Sequence, residues 1–197
     1  MDDRDGSVDL TGRQLYFLHI PKTAGTSLRS VLEDQFYPDE VCPPTEAVEQ
    51  YGGNYPPLPW LLRIPVERFA RYRLVRGHYF HDLGDRFASP PAVVTMLRRP
   101  LDRSLSFLRH SLRAPAYRDR TIDELVADRH FTRKFLWDFQ TKILGHRVDL
   151  ADPAAVPGDA NVPMQPGPKM LERAKAALDA AAFVGLAEEF ERSMELL

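Results

Sequence analysis

Lys22, Gly25, Thr26 and Ser27 fall within six residues, directly behind an apolar run. A cation, a glycine and two hydroxyls where a strand passes into a helix suit one task, holding an anion. The first N–H groups of a helix have no intrahelical acceptor, and the helix dipole places partial positive charge beside them. The hydroxyls would add donors, and the lysine a movable charge. The spacing differs from the common nucleotide loop, which sets its lysine after the second glycine of G-x-x-x-x-G-K-[ST]. Here the lysine precedes a single glycine by three residues. The residues alone leave two readings open, an anion cradle and a plain Thr-capped helix start beside a solvated lysine.

Two further stretches carry groups of the same kind. Residues 96–107 read Met-Leu-Arg-Arg-Pro-Leu-Asp-Arg-Ser-Leu-Ser-Phe, with Arg98 at the end of an expected strand and Ser106 two turns into an expected helix. A guanidinium fork matches the geometry of a phosphate. Leu101, Leu105, Leu108 and Leu112 make an apolar stripe. Arg99, Arg103, Arg109, His110 and Arg113 lie off that stripe, so by itself the helix reads as having a solvated basic face. Ser106 also lies off it. His78 follows a strand-like segment and a glycine, at the kind of edge that carries functional groups in open α/β sheets. A lone histidine is more often structural or solvated than catalytic, so the residues alone favour that reading.

The elements that must position these groups follow from periodicity and breakers. Residues 15–20 read as a buried strand ended by Pro21. A helix is expected from near Gly25, with Leu28, Val31, Leu32 and Phe36 on its apolar side. Residues 37–65 hold seven prolines and Gly52-Gly53, which leaves room only for short helical turns and suggests a binding loop or lid. A short helix over 66–72, a strand over 73–76 and a second apolar strand over 91–97 follow. Pro100 suits the first position of a helix. Helices are expected over 122–126, 131–144 and 169–182, with a Pro/Gly-rich loop over 151–168, a strand over 183–186 and a last helix over 188–196. Strands interleaved with helices predict an α/β fold, a P-loop-like three-layer sandwich with a central parallel sheet flanked by helices. Residues 1–14 read as a flexible N-terminus and 15–197 as one domain.

Bulk properties bound the functional classes. At 197 residues, 44% hydrophobic and 27% charged, the chain has the composition of an ordinary globular domain. A net charge of −2 and the lack of aromatics among the basic residues argue against a nucleic-acid partner. The single cysteine, Cys42, excludes an internal disulfide framework and reads as an apolar filler in a reducing compartment. No run approaches the ~18 apolar residues of a membrane span. The acidic N-terminus lacks the apolar core of a signal peptide. A cytoplasmic protein is expected, and no Cys/His cluster suggests a metal.

His19-Ile-Pro-Lys-Thr-Ala-Gly-Thr-Ser27 resembles the 5′-phosphosulfate loop of the sulfotransferases that use 3′-phosphoadenylyl sulfate (PAPS). The likeness is to the carbohydrate type, which includes the heparan and uronyl 2-O-sulfotransferases. It implies that Lys22, Thr23, Ala24, Gly25, Thr26 and Ser27 bind PAPS. Arg-x-Pro-x-x-Arg-x-x-Ser-[Phe/Tyr], from Arg98 to Phe107, resembles the 3′-phosphate motif of that family and implies contacts from Arg98 and Ser106. Gly-His-x-[Tyr/Phe] at 77–80 resembles the segment of its catalytic histidine, which gives His78 the role of base, with His81 the less favoured neighbour. Arg76 stands where those enzymes often have a second histidine. Weaker likenesses occur at 138–145 and 174–190. The chain stops inside its last expected helix, as a short or C-terminally truncated member would. The resemblance implies sulfuryl transfer to a hydroxyl of a carbohydrate or small metabolite, with Lys22 at the leaving oxygen, His78 as base and no metal. A non-catalytic nucleotide-binding module and an ATP-dependent small-molecule kinase are the alternatives, the kinase disfavoured by the loop spacing. Neither the acceptor nor the oligomeric state follows from the residues.

Overall fold

Strands β1 (Leu15–Leu18), β2 (Val41–Cys42), β3 (Leu74–Gly77), β4 (Ala92–Leu97) and β5 (Phe183–Leu186) form one all-parallel sheet in the order β2-β3-β1-β4-β5. They are seen in a computed structural model that describes residues 12–83, 86–149, 156–158 and 160–197. Every residue of β1 is buried, as expected of a strand covered on both faces. Alternate residues feed two cores. Leu15 and Phe17 pack with Leu28 and Leu32 of helix α1 (Gly25–Glu33), and with Leu74, Val94 and Met96. Tyr16 and Leu18 face the other way, toward Leu61 of α3 (Leu58–Leu62), Phe139 and Ile143 of α8 (Phe139–Gly145), and Ala174 and Ala177 of α9 (Pro168–Asp179). The result is the expected three-layer α/β sandwich. A satellite cluster of Leu108, Leu125 and Phe131 joins α5 (Pro100–Ser111), α6 (Ile122–Ala127) and α7 (Arg129–Phe135).

Several expected elements differ in detail. The first strand ends at Leu18, three residues before the proline. The proline-rich segment holds a 3-10 turn (Pro38–Glu40), α2 (Thr45–Gln50) and α3, but also β2, a two-residue strand that no periodicity could reveal. Next comes α4 (Val66–Phe69). The helix expected over 131–144 is two helices, because Asp138 takes a left-handed φ of 43° between α7 and α8. The last helix, α10 (Phe190–Glu195), follows a 3-10 turn at Ala187–Glu189.

The stripe assigned to α5 is overturned. Leu101 is 69% exposed, whereas Arg103 is buried beside Leu108. Arg13 and Gln14, read as part of the flexible N-terminus, are tied down. Arg13 donates to the Pro90 and Pro91 carbonyls, and Gln14 Nε2 to the carbonyls of Phe69 (3.0 Å) and Tyr72 (2.8 Å). Residues 1–11 lie outside those described. Among the described residues, no helix is long and apolar enough to cross a membrane.

Candidate functional site

β1 hands over to α1 through a turn at the carboxyl edge of the sheet, and the strain in that turn does not sit on its glycine. Lys22 (φ 72°) and Ala24 (φ 64°) take the left-handed conformation. Such a conformation costs on the order of 1–3 kcal/mol for a residue with a Cβ. Gly25 is required for space instead, since a Cβ there would run into the His19 ring. Thr23 is buried and its hydroxyl donates to the Ile20 carbonyl at 2.8 Å, leaving only its backbone available to a ligand. Thr26 and Ser27 present exposed side chains in the first turn of α1. The Ser27 N–H donates to Ala24 O, while the N–H groups of Ala24, Gly25 and Thr26 have no acceptor among the described residues. Carbonyls on the same turn are already taken: Pro21 O accepts from Arg103 Nε (3.1 Å) and Lys22 O from Arg98 Nη1 (3.3 Å). The turn therefore keeps its N–H groups for an outside acceptor, which is the requirement of an anion cradle.

Cations converge on Lys22. Partial burial and then the charges of Arg113, Arg98 and Arg103 hold the Lys22 ammonium below its ordinary value, and no carboxylate among the described residues counters them. Positions 103, 106 and 110 stand on one side of α5, and Arg99 and Arg113 continue that row just beyond its ends. His110 is lowered by burial, Lys22 and Arg113. The basic side of α5 borders the cradle: Arg99, Arg109, His110 and Arg113 are exposed, as expected, while Arg103 is buried. The Arg103 guanidinium lies 3.9 Å from the Phe139 ring centre, bonds the Phe135 carbonyl, and has a buried Nη2 with no hydrogen-bond partner among the described residues. Arg98 is fixed by its backbone: Gln140 accepts from its N–H (2.9 Å) and donates to its carbonyl (2.7 Å). Glu188 accepts from the Arg99 N–H at 3.1 Å and approaches Arg98 at 3.9 Å. Ser106 is half-buried on the same row.

His78 stands just past β3, on the strand next to β1. Its Nδ1 donates to the His19 carbonyl at 2.7 Å. A carbonyl can only accept, so Nδ1 carries a proton. The His78 ring lies 4.5 Å from that of His19 and 4.8 Å, edge to face, from that of Tyr55. Burial first, then the charges of His78, Arg29, Arg76 and Lys22, push His19 well below the usual histidine value, so it is neutral. Arg76 is buried behind this pair, forming an ion pair with Glu33 and standing 5.5 Å from the Tyr55 ring centre.

The structure brings Lys22, Thr23, Ala24, Gly25, Thr26, Ser27 and Arg98 into one cradle. Ser106 lies on the α5 row beside it, and His78 is linked to it through His19. His81 is elsewhere. It lines a cleft of about 590 Å³ with His146, Arg147 and Arg173, between α8, α9 and the start of β4. Cys42 is buried in β2, and its thiol is pushed up to about 12, as an inert filler would be. Sequence reasoning assigned no role to His19, Arg103 or Arg113. A spacing of three and four residues from Ser106 was the available signal for Arg103 and His110, and it was read as a solvated face. No family model, curated protein or solved structure matches the chain.

Proposed function

We propose that the chain is a sulfotransferase that moves a sulfuryl group from PAPS to a hydroxyl of a carbohydrate or small metabolite. One observation carries this reading: two separate segments, 21–27 and 98–113, meet around Lys22 as a set of cations and open N–H groups, with no carboxylate among the described residues acting on the lysine. A donor with phosphate at both ends needs two anion sites of this kind, and the resemblance of the two motifs assigns one to each. The orphaned donors of the turn and the buried Arg103 Nη2 fit an anionic ligand.

In this reading the N–H groups of Ala24, Gly25 and Thr26, with the exposed hydroxyls of Thr26 and Ser27, hold the 5′-phosphate. Arg98 and Ser106 hold the 3′-phosphate. Lys22 faces the leaving oxygen, where its lowered proton affinity suits proton donation as well as charge neutralisation. His78 takes the acceptor proton on Nε2, and its Nδ1–H bond to His19 keeps the ring in the tautomer for that role. The bound donor supplies the sulfuryl group, and the protein contributes position and charge, as in phosphoryl transfer.

The test is transfer by His78→Ala. General-base catalysis contributes ~10²–10⁴-fold, so turnover of PAPS should fall by that factor while adenosine 3′,5′-bisphosphate still binds. Retained turnover would remove His78 from the reaction. Binding without any turnover in the unaltered chain would favour the non-catalytic module, and preference for ADP over the bisphosphate would favour a kinase.

A further inference from the structure

The proline-rich segment sends one side chain into the site. Tyr55, from the stretch between α2 and α3, meets both histidines. Its ring is edge-on to His78 at 4.8 Å and to His19 at 5.7 Å, and its hydroxyl lies 3.1 Å from His19 Nδ1. Two guanidiniums flank the same ring, Arg29 at 5.6 Å and Arg76 at 5.5 Å from its centre. Glu33 holds both of them, Arg29 Nε at 2.7 Å and Arg76 by an ion pair. These cations keep the ring from rotating away, since each is attracted to its face and tethered to one carboxylate.

Tyr55 Oη and His19 Nδ1 share one hydrogen bond, its direction set by the His19 tautomer. Burial pushes the phenol up to about 12, so Tyr55 stays protonated across the working range. His19 is then fixed at both ends, its ring packed on Gly25 and its Nδ1 held by Tyr55. The carbonyl of that same residue takes the Nδ1 proton of His78.

The geometry points to Tyr55 as the positioning residue of His78, acting directly through its ring and indirectly through its hydroxyl and His19. The role of His78 as base rests on the sulfotransferase reading; its placement by Tyr55 does not. The proline-rich segment is thereby a wall of the catalytic centre, and the rate depends on how that segment is seated.

The experiment compares the full chain with Tyr55→Leu and Tyr55→Phe, reading imidazole ¹⁵N resonances and transfer kinetics together. In the unaltered chain His78 should show the Nδ1–H tautomer. Tyr55→Leu should spread it over both tautomers and lower kcat by ~10–100-fold, the effect of a misplaced catalytic group. KM for PAPS and affinity for adenosine 3′,5′-bisphosphate should stay within about twofold, because the cradle is not touched. Tyr55→Phe keeps the ring, so it should restore most of the rate while moving the His19 Nδ1 signal. A His78 tautomer and kcat left unchanged by Tyr55→Leu overturn the proposal. If that variant does not fold, Tyr55→Phe decides: a shifted His19 signal supports the relay, and unmoved signals overturn it. Absence of PAPS turnover in the unaltered chain would refute the sulfotransferase reading alone, and the resonances would still decide the role of Tyr55.

Discussion

Lys22 is where residue type, position and environment agree. Its ordinary value of 10.5 is lowered first by partial burial and then by Arg113, Arg98 and Arg103. A lysine lowered in the folded state binds its proton less readily there than when unfolded. Its charge therefore counts against folding below the lowered value, and that penalty lifts as pH rises through it toward 10.5. An anion in the cradle offsets the like-charge part, so ligand binding should raise the Lys22 value and take up protons between the lowered value and 10.5. Calorimetric titration of adenosine 3′,5′-bisphosphate in two alkaline buffers of different ionisation enthalpy measures that uptake. Lys22→Met should abolish it and weaken binding ~10–100-fold, the loss of one charge-assisted contact. Uptake that survived the substitution would assign the proton elsewhere. Arg98→Ala belongs to the same scale. It should weaken the 3′,5′-bisphosphate by ~10-fold or more while sparing ADP, because only the former has a 3′-phosphate for the guanidinium. The places of Arg98 and His78 were legible because each directly follows a strand, where one sequence position fixes one place in space. The approach of Arg113 to Lys22 was not, because it comes from a distant segment and only the packing of whole elements brings it there.

At the scale of elements, the turn between β1 and α1 is held open against its own preference. Two non-glycine residues take left-handed φ values, and the guanidiniums of Arg98 and Arg103 bind the carbonyls that this conformation presents. Ala24→Gly should relieve that strain and raise stability by about 0.5–1 kcal/mol in urea unfolding. Gly25→Ala should do the opposite, lowering stability by about 1–3 kcal/mol, since the added methyl must displace the His19 ring. Equal effects from the two substitutions would mean that glycine serves here for flexibility and not for space. The strands were readable because a parallel sheet buries both faces, so β1 and β4 appear as unbroken apolar runs. β2 escaped because two residues among prolines carry no period, although its partner strand β3 was seen. α5 was misread in the other direction. Its leucines made a convincing stripe, but the helix is rotated so that Arg103 enters the interior, where Phe139 and the carbonyls of Pro21 and Phe135 replace water around the guanidinium.

At the scale of the molecule, the strand order explains why two segments about 75 residues apart meet at one place. β1 lies between β3 and β4, so the chain leaves β1 toward one edge of the sheet and later returns to build the other. Connections diverge from that central strand at its carboxyl end, the kind of place where open α/β sheets bind ligands. One connection carries 21–27 and the other 98–113. A chain with net charge −2 thereby concentrates positive charge at a single point. Folding sets these like charges against one another, so ligand and fold should stabilise each other. At a bisphosphate concentration of 100 Kd the gain is about 2.7 kcal/mol. For a chain of this length each kcal/mol moves Tm by about 2–4 °C, giving a rise of roughly 5–11 °C in a thermal melt. ADP at equal concentration should give a much smaller rise, because it leaves Arg98 and Ser106 without a phosphate. Raising salt from 0.05 to about 0.5 M shortens the Debye length to a few ångströms and should shrink the bisphosphate effect while raising Tm of the free protein. Equal shifts from the two nucleotides would mean that the two segments do not act as a pair. A shift indifferent to salt would mean that the converging cations are not what holds the ligand.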